Sequence, residues 1–258
     1  MNLKLTLIAG AFALATAAGA SSASAGTCIG VCGSLGPDGV VTSPPAGGPG
    51  YGYVTTSGGI DGVGQTPLGG GINGSEFHTD TFSAKAGDDL QFYFNYVTSD
   101  GAEFADYSFA ELLTSTSTHV AWLFTARTTP SGDTSPGFGL ETNDSTLTPL
   151  TSPIIGGGPF WSPLGDDSGS CFDEGCGYTG WIRSDYTVAD AGDYILRLGV
   201  TNALDHAYDS GLAYAGANIG GVVIPTSSGA PEPATWAMML MGFFGLGAML
   251  RGRKPVAA

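Results

Sequence analysis

The sequence predicts an all-β protein, built as an antiparallel two-sheet β-sandwich. Three observations carry that prediction. Apolar and aromatic residues alternate with period two in several runs, among them Leu90-Gln91-Phe92-Tyr93-Phe94-Asn95-Tyr96-Val97 and Tyr194-Ile195-Leu196-Arg197-Leu198-Gly199-Val200, the pattern of strands with one buried face. Glycine supplies 43 of the 258 residues, far above the usual ~7 %, and most glycines fall between those runs. Few windows show a helical period.

From the N-terminus, Lys4 provides a basic start, Leu5 to Ala18 an apolar stretch, and Ala23-Ser24-Ala25 a small-residue cleavage site before Gly26. Residues 1–25 therefore read as a signal peptide. Residues 26–50 read as a Cys-clipped arm. Within it, Gly36 to Gly50 is rich in proline and glycine and is expected to be a linker.

The body of the protein is expected over residues 51–229, enough chain to bury a substantial core. Besides the two alternating runs, strands are predicted at Tyr51–Thr56, Phe77–Ser83, Tyr107–Leu113, His119–Thr125, Trp181–Val188 and Leu212–Ile224. Tyr194, Leu196, Leu198 and Val200 should share a buried face, with Arg197 and Gly199 turned outward. Eight strands separated by Gly, Pro, Asp and Ser point to a jelly-roll-like sandwich. Thr128 to Gly169 carries six prolines and is expected to be loop, pinned to the sandwich by Phe138, Phe160 and Trp161.

The four cysteines form two close pairs, Cys28/Cys32 and Cys171/Cys176. In an exported chain this predicts two local disulfides, each closing a small loop worth about 2 kcal/mol in the chain-entropy model. Four cysteines allow three connectivities. A zinc site competes as a reading, but no histidine is nearby and such sites more often use C-x2-C.

The formal net charge is −15, and between residues 26 and 229 the only basic residues are Lys85, Arg127, Arg183 and Arg197. Nucleic acid and anionic lipid are excluded as partners on that balance. Divalent cations and cationic partners suit it.

A faint internal echo locates the candidate chemistry. Ala86-Gly87-Asp88 and Ala191-Gly192-Asp193 each open an alternating strand, ending in Val97-Thr98 and Val200-Thr201. Nine residues after each Val stands an acid, Asp106 and Asp209, where a new strand begins. Two similar strand–loop–strand units should thus present acidic loops alike. The first holds Asp100, Glu103 and Asp106, the second Asp205 and Asp209 beside His206 and Tyr208. Hard oxygen ligands on sandwich loops suit calcium. Paired carboxylates suit a glycosidase-like hydrolase. The same acids also suit turns, bonding their own backbone two residues on. Asp166-Asp167 and Asp173-Glu174 read as a solvated turn, without an EF-hand pattern. No G-x-S-x-G elbow, H-E-x-x-H motif or P-loop occurs, and His78, His119 and His206 stand in unrelated contexts.

Residues 230–258 form a tail of different character. Pro231-Glu232-Pro233 precedes an uncharged apolar run from Thr235 to Leu250, closed by Arg251, Arg253 and Lys254. As a helix that run spans roughly 24 Å, slightly short of a bilayer core. Trp236 suits the interface and the basic cluster a cytoplasmic stop. The two prolines keep the segment before it extended.

Pro231-Glu232-Pro233, Trp236-Ala237, the Gly/Met-rich span and the terminal basic cluster resemble, in order, the PEP-CTERM sorting signal in its P-E-P-x-x-W-A form. That resemblance implies recognition by an exosortase, a membrane-embedded cysteine transpeptidase. It also implies transient anchoring in the inner membrane, and residence at the cell surface or in an exopolysaccharide matrix. Three further stretches, Phe92 to Phe109, Phe124 to Gly132 and Gly199 to Ala213, resemble an uncharacterised family of PEP-CTERM ectodomains. The ending Tyr208-Asp209-Ser210-Gly211-Leu212-Ala213 is similar to the last strands of jelly-roll domains in bacterial surface proteins. Where calcium-binding carbohydrate modules often place an Asp after that strand, this chain has Tyr214-Ala215-Gly216. The resemblance implies location and fold, with a structural or binding role, glycan- or calcium-associated, and no assigned reaction.

Overall fold

The computed structural model describes residues 26–64 and 70–226. The predicted signal peptide and the tail residues Pro231, Glu232, Pro233, Trp236, Ala237, Arg251, Arg253 and Lys254 lie outside the described residues. Among the described residues no helix is long and apolar enough to cross a membrane.

Two antiparallel sheets, of seven and nine strands, form sandwich-like layers. The first has the order Thr27–Ile29, Gly71–His78, Gly192–Ala203, Tyr107–Thr114, His119–Arg127, with Ile60–Asp61 and Phe82–Ala84 attached. The second has the order Thr146–Thr148, Ile182–Thr187, Asp89–Thr98, Ser210–Ile219, Tyr51–Thr55, Val31–Leu35, with three two-residue strands attached.

The period-two pattern accounts for the core. Leu90, Phe92, Phe94 and Tyr96 face inward from one sheet, and Tyr194, Leu196, Leu198 and Val200 from the other, all in one buried cluster. Each such side chain contributes about 1.5–3 kcal/mol on burial. Phe94 stacks on Phe124 across the interface, ring centroids 3.7 Å apart.

Three expected elements are placed differently. The strand expected at Phe77–Ser83 runs instead over Gly71–His78, with only Phe82–Ala84 beyond it. Its glycines weaken the local signal, and pairing on both sides supplies what propensity does not. The strand ending at Ile224 breaks at the Gly220-Gly221 turn, and Val222–Val223 folds back on Asn218 and Ile219. The proline-rich loop contains four short strands and a 3₁₀ segment, Ser162–Asp167.

The N-terminal segment read as an arm is woven into both layers. Thr27–Ile29 pairs in the first sheet and Val31–Leu35 in the second, and the Cys28–Cys32 disulfide spans the crossing. The chain turns at Gly30, with φ +85. A Cβ there would strike Ser75 and the Gly74 carbonyl. Ser75 is itself a fixed bridge: its Oγ accepts from Val31 N at 2.8 Å and donates to the Thr55 carbonyl at 2.6 Å. Gly30→Ala should therefore destabilise the protein by about 1–3 kcal/mol, combining left-handed strain with a displaced Ser75. Urea unfolding with an unchanged m-value would register the loss, and a neutral substitution would contradict this account.

The outer face of the second sheet carries a second apolar cluster: Val41, Tyr51, Val97, Trp161, Leu164, Ala213 and Ala215. Trp161 does pin the long loop. Its indole donates to the Tyr51 hydroxyl at 2.9 Å, and its ring occupies the space left by the missing side chain of Gly211. Phe138 and Phe160, expected to do the same, are exposed. Trp181 ties the proline-rich linker down by donating to the Thr42 carbonyl at 3.0 Å.

Candidate functional site

The sequence echo corresponds to two strand–loop–strand units that exchange strands. Asp89–Thr98 pairs with Ser210–Ile219 in one sheet, while Gly192–Ala203 pairs with Tyr107–Thr114 in the other. Both connections therefore cross between the layers at the same pole. Asp106 and Asp209 stand where each chain enters its new sheet.

Asp106 is fully buried, 0 % exposed. Its Oδ1 accepts from Ala203 N at 2.7 Å, and its Oδ2 lies 2.6 Å from Ser210 Oγ. Both partners belong to the second unit. Asp209 reciprocates with the first, its carbonyl accepting from Ser99 N at 3.1 Å and Ser99 Oγ at 2.7 Å. Its carboxylate accepts from Thr56 Oγ1 at 2.8 Å. The two acids fasten the units to each other.

Ser210 Oγ is also 2.8 Å from Thr98 Oγ1. One hydroxyl proton cannot serve two acceptors. A proton on Asp106 resolves the chain: Asp106 donates to Ser210, and Ser210 to Thr98. Burial pushes the Asp106 carboxyl well above the usual range, the nearby Asp100 adds to the rise, and Ser210 and Ala203 oppose it. Asn202, cross-strand from Asp106 and equally buried, has no hydrogen-bond partner for its side chain among the described residues.

Asp100 is 1 % exposed. Its Oδ1 accepts from Gly101 N at 2.7 Å, and its Oδ2 has no partner among the described residues. Burial pushes it up to about 7, opposed by the Gly101 amide and reinforced by Asp205 and Asp167. Asp209 is raised too, by burial, with Asp167 adding to it.

The remaining two predicted residues differ. Asp205 makes a local turn, its Oδ1 accepting from Ala207 N at 2.9 Å. Glu103 sits exposed on the single 3₁₀ turn Ala102–Phe104. It lines a depression of about 300 Å³ with Ala102, Pro130, Asp173 and Glu174. Among the described residues, no three His, Cys, Asp or Glu side chains are placed to hold one metal ion. Both cysteine pairs are disulfide-bonded as the local pairing expects, and no cysteine is free.

Asp167, read from sequence as part of a solvated turn, belongs to this pole. Its Oδ2 accepts from Asp209 N at 3.0 Å. Three aromatic rings also gather there unannounced. Phe172 packs against Phe104 at 5.5 Å and Tyr208 at 5.0 Å between centroids.

A second charged cluster lies on the outer face of the first sheet. Arg197 grips Glu76 through Nε, 3.0 Å from Oε2, and through Nη2 to Oε1. Its Nη1 reaches Glu111 Oε2 at 3.1 Å. His78 and His119, unrelated by sequence, hold the far sides of the two glutamates at 2.8 and 2.7 Å. The guanidinium sits 5.2 Å from the Phe109 ring centre, and that ring fills the space over Gly199. The outward alternation of Glu111 and Arg197 was the available signal. Its meaning required knowing that their strands are neighbours.

No family model matches this chain, and comparison with curated proteins and with solved structures returned no match.

Proposed function

We propose that this chain is an exported protein of the cell surface or extracellular matrix, with a non-catalytic structural or binding role. Its sandwich is read as jelly-roll-like. Its signal peptide directs export, and its tail spans the inner membrane transiently as a PEP-CTERM signal until an exosortase acts on it. The local disulfides are compatible with an oxidising destination.

The observation that carries the non-catalytic reading is the burial of Asp106 with both carboxyl oxygens engaged across the two units. A glycosidase needs two carboxyl groups facing one bond of a bound sugar. Here the acids that would pair with Glu103 or Asp205 are sealed beneath the surface and serve as fasteners.

Intact-mass measurement on protein taken from its own cells tests the processing. The expected mass lacks the signal peptide and the residues that follow the Pro231-Glu232-Pro233 segment. A species retaining residues 231–258 would overturn the sorting part of the proposal.

A further inference from the structure

We infer that the acidic pole binds oligosaccharides bearing free amino groups, with Phe172 as the stacking platform. This deepens the binding role proposed above and rests on it. Three loops build the platform: the connection from Ser99 to Asp106, the Cys171–Cys176 clip, and the connection from Leu204 to Asp209.

These loops are sewn together. Phe172 N donates to the Ser99 carbonyl and Ala102 N to the Glu174 carbonyl, both at 2.9 Å. The disulfide closes the clip around Phe172. Tyr208, whose ring braces Phe172, holds φ +59, and Leu204 at the start of the same loop holds φ +75. Two non-glycine residues in the left-handed region cost stability that the surroundings must supply, a pattern concentrated at ligand sites. What the strain secures is a large apolar ring left 43 % exposed at the surface.

The depression lined by Glu103, Asp173 and Glu174 adjoins that ring. Gly101 packs directly on Phe172 and Asp173, and beneath it lies Asp100 with its unpartnered, buried Oδ2. The surroundings of the ring are thus acceptor-rich and negative. A ligand that fits must offer a flat apolar face together with ammonium or hydroxyl donors. A pyranose carrying an amine does so: its C–H face covers Phe172 while its ammonium meets the carboxylates. Anionic polysaccharides are repelled. A single metal ion is not what this geometry collects, since no three acids converge on one point among the described residues and the rings offer no ligand atoms. A basic peptide satisfies the charge but leaves the ring face without a matching partner.

The test uses mature protein isolated from its own cells, with intact mass recorded on the same sample. Soluble oligoglucosamine is titrated calorimetrically at mildly acidic pH, beside its N-acetylated counterpart and poly-lysine. Oligoglucosamine should bind, and more tightly than the acetylated form. Phe172→Ala should weaken it about tenfold, the scale of one lost ring contact. Phe172→Tyr should retain it, and Glu174→Gln should weaken it with greater salt sensitivity lost. Absence of binding to oligoglucosamine overturns the inference, as does poly-lysine binding equally well with no effect of Phe172→Ala. If binding is absent while the mass shows the tail removed, the site assignment falls and the surface-protein reading stands. If the tail is retained, it is that reading that fails.

Discussion

Arg197→Ala is expected to cost about 3–5 kcal/mol of stability, the penalty for leaving charges buried without their partner. Burial alone pushes the Glu76 carboxyl up. Hydrogen bonds from His78 and Arg197 overcome that and hold it at about 2. The side chains of Glu76 and Glu111 are only 7 % and 3 % exposed, so neither can turn to water when the guanidinium is gone. Arg197→Lys should recover only part of the loss. An ammonium cannot bridge both oxygens of Glu76 and reach Glu111 at once, nor lie flat over Phe109. Urea titration at neutral pH measures both variants. A loss below about 1 kcal/mol for Arg197→Ala would show that the network is as weak as an exposed pair. The deficit should also shrink in acid, where protonation removes the stranded charges.

The same network illustrates what the sequence could and could not disclose. Alternation along Tyr194 to Val200 placed Arg197 outside the core correctly, because a one-residue shift would have buried it. Which strands flank Gly192–Ala203 is set by long-range pairing, so Glu76 and Glu111 stayed anonymous until Gly71–His78 and Tyr107–Thr114 were seen beside it. The acidic loops were legible for a related reason. The repeated Val-Thr ending and the nine-residue spacing marked equivalent crossings, and Asp106 and Asp209 do occupy equivalent positions. What spacing could not reveal was direction. Asp106 turns inward to fasten the second unit, Glu103 turns out to solvent, and Asp205 bonds its own backbone. Strand Gly71–His78 escaped because glycine and serine carry little β-propensity, and its place is secured by neighbours on both sides. Phe172 escaped because an aromatic between two cysteines has no periodicity to read.

The buried acids lead to a second large effect, an acid-shifted stability optimum. Asp100 has an unfolded value near 3.8 and a folded value of about 7. Between those limits the native state keeps a proton that the unfolded chain releases. Its contribution is full below pH 3.8 and is lost as pH rises to about 7. Asp106 and Asp209 act in the same direction. Glu76 acts oppositely: its folded value of about 2 lies below the ordinary 4.5, so its contribution is full above pH 4.5 and lost as pH falls toward 2. Stability should therefore peak near pH 4.5 and decline toward neutrality, where many proteins are still at their best. Asp106→Asn is the sharpest probe. The amide keeps an acceptor for Ala203 N and a donor for Ser210 Oγ, the arrangement the protonated acid supplies, and it cannot ionise. Thermal melts of this variant should be flatter in pH than the parent and more stable above pH 7, with the gap closing in acid. Asp106→Ala, which strands Ala203 N and leaves a void, should be less stable at every pH, by about 2–4 kcal/mol. A parent whose melting temperature climbs from pH 4.5 to pH 7 would show that the pole holds its carboxylates charged, and the proton chain from Asp106 through Ser210 to Thr98 would have to be abandoned.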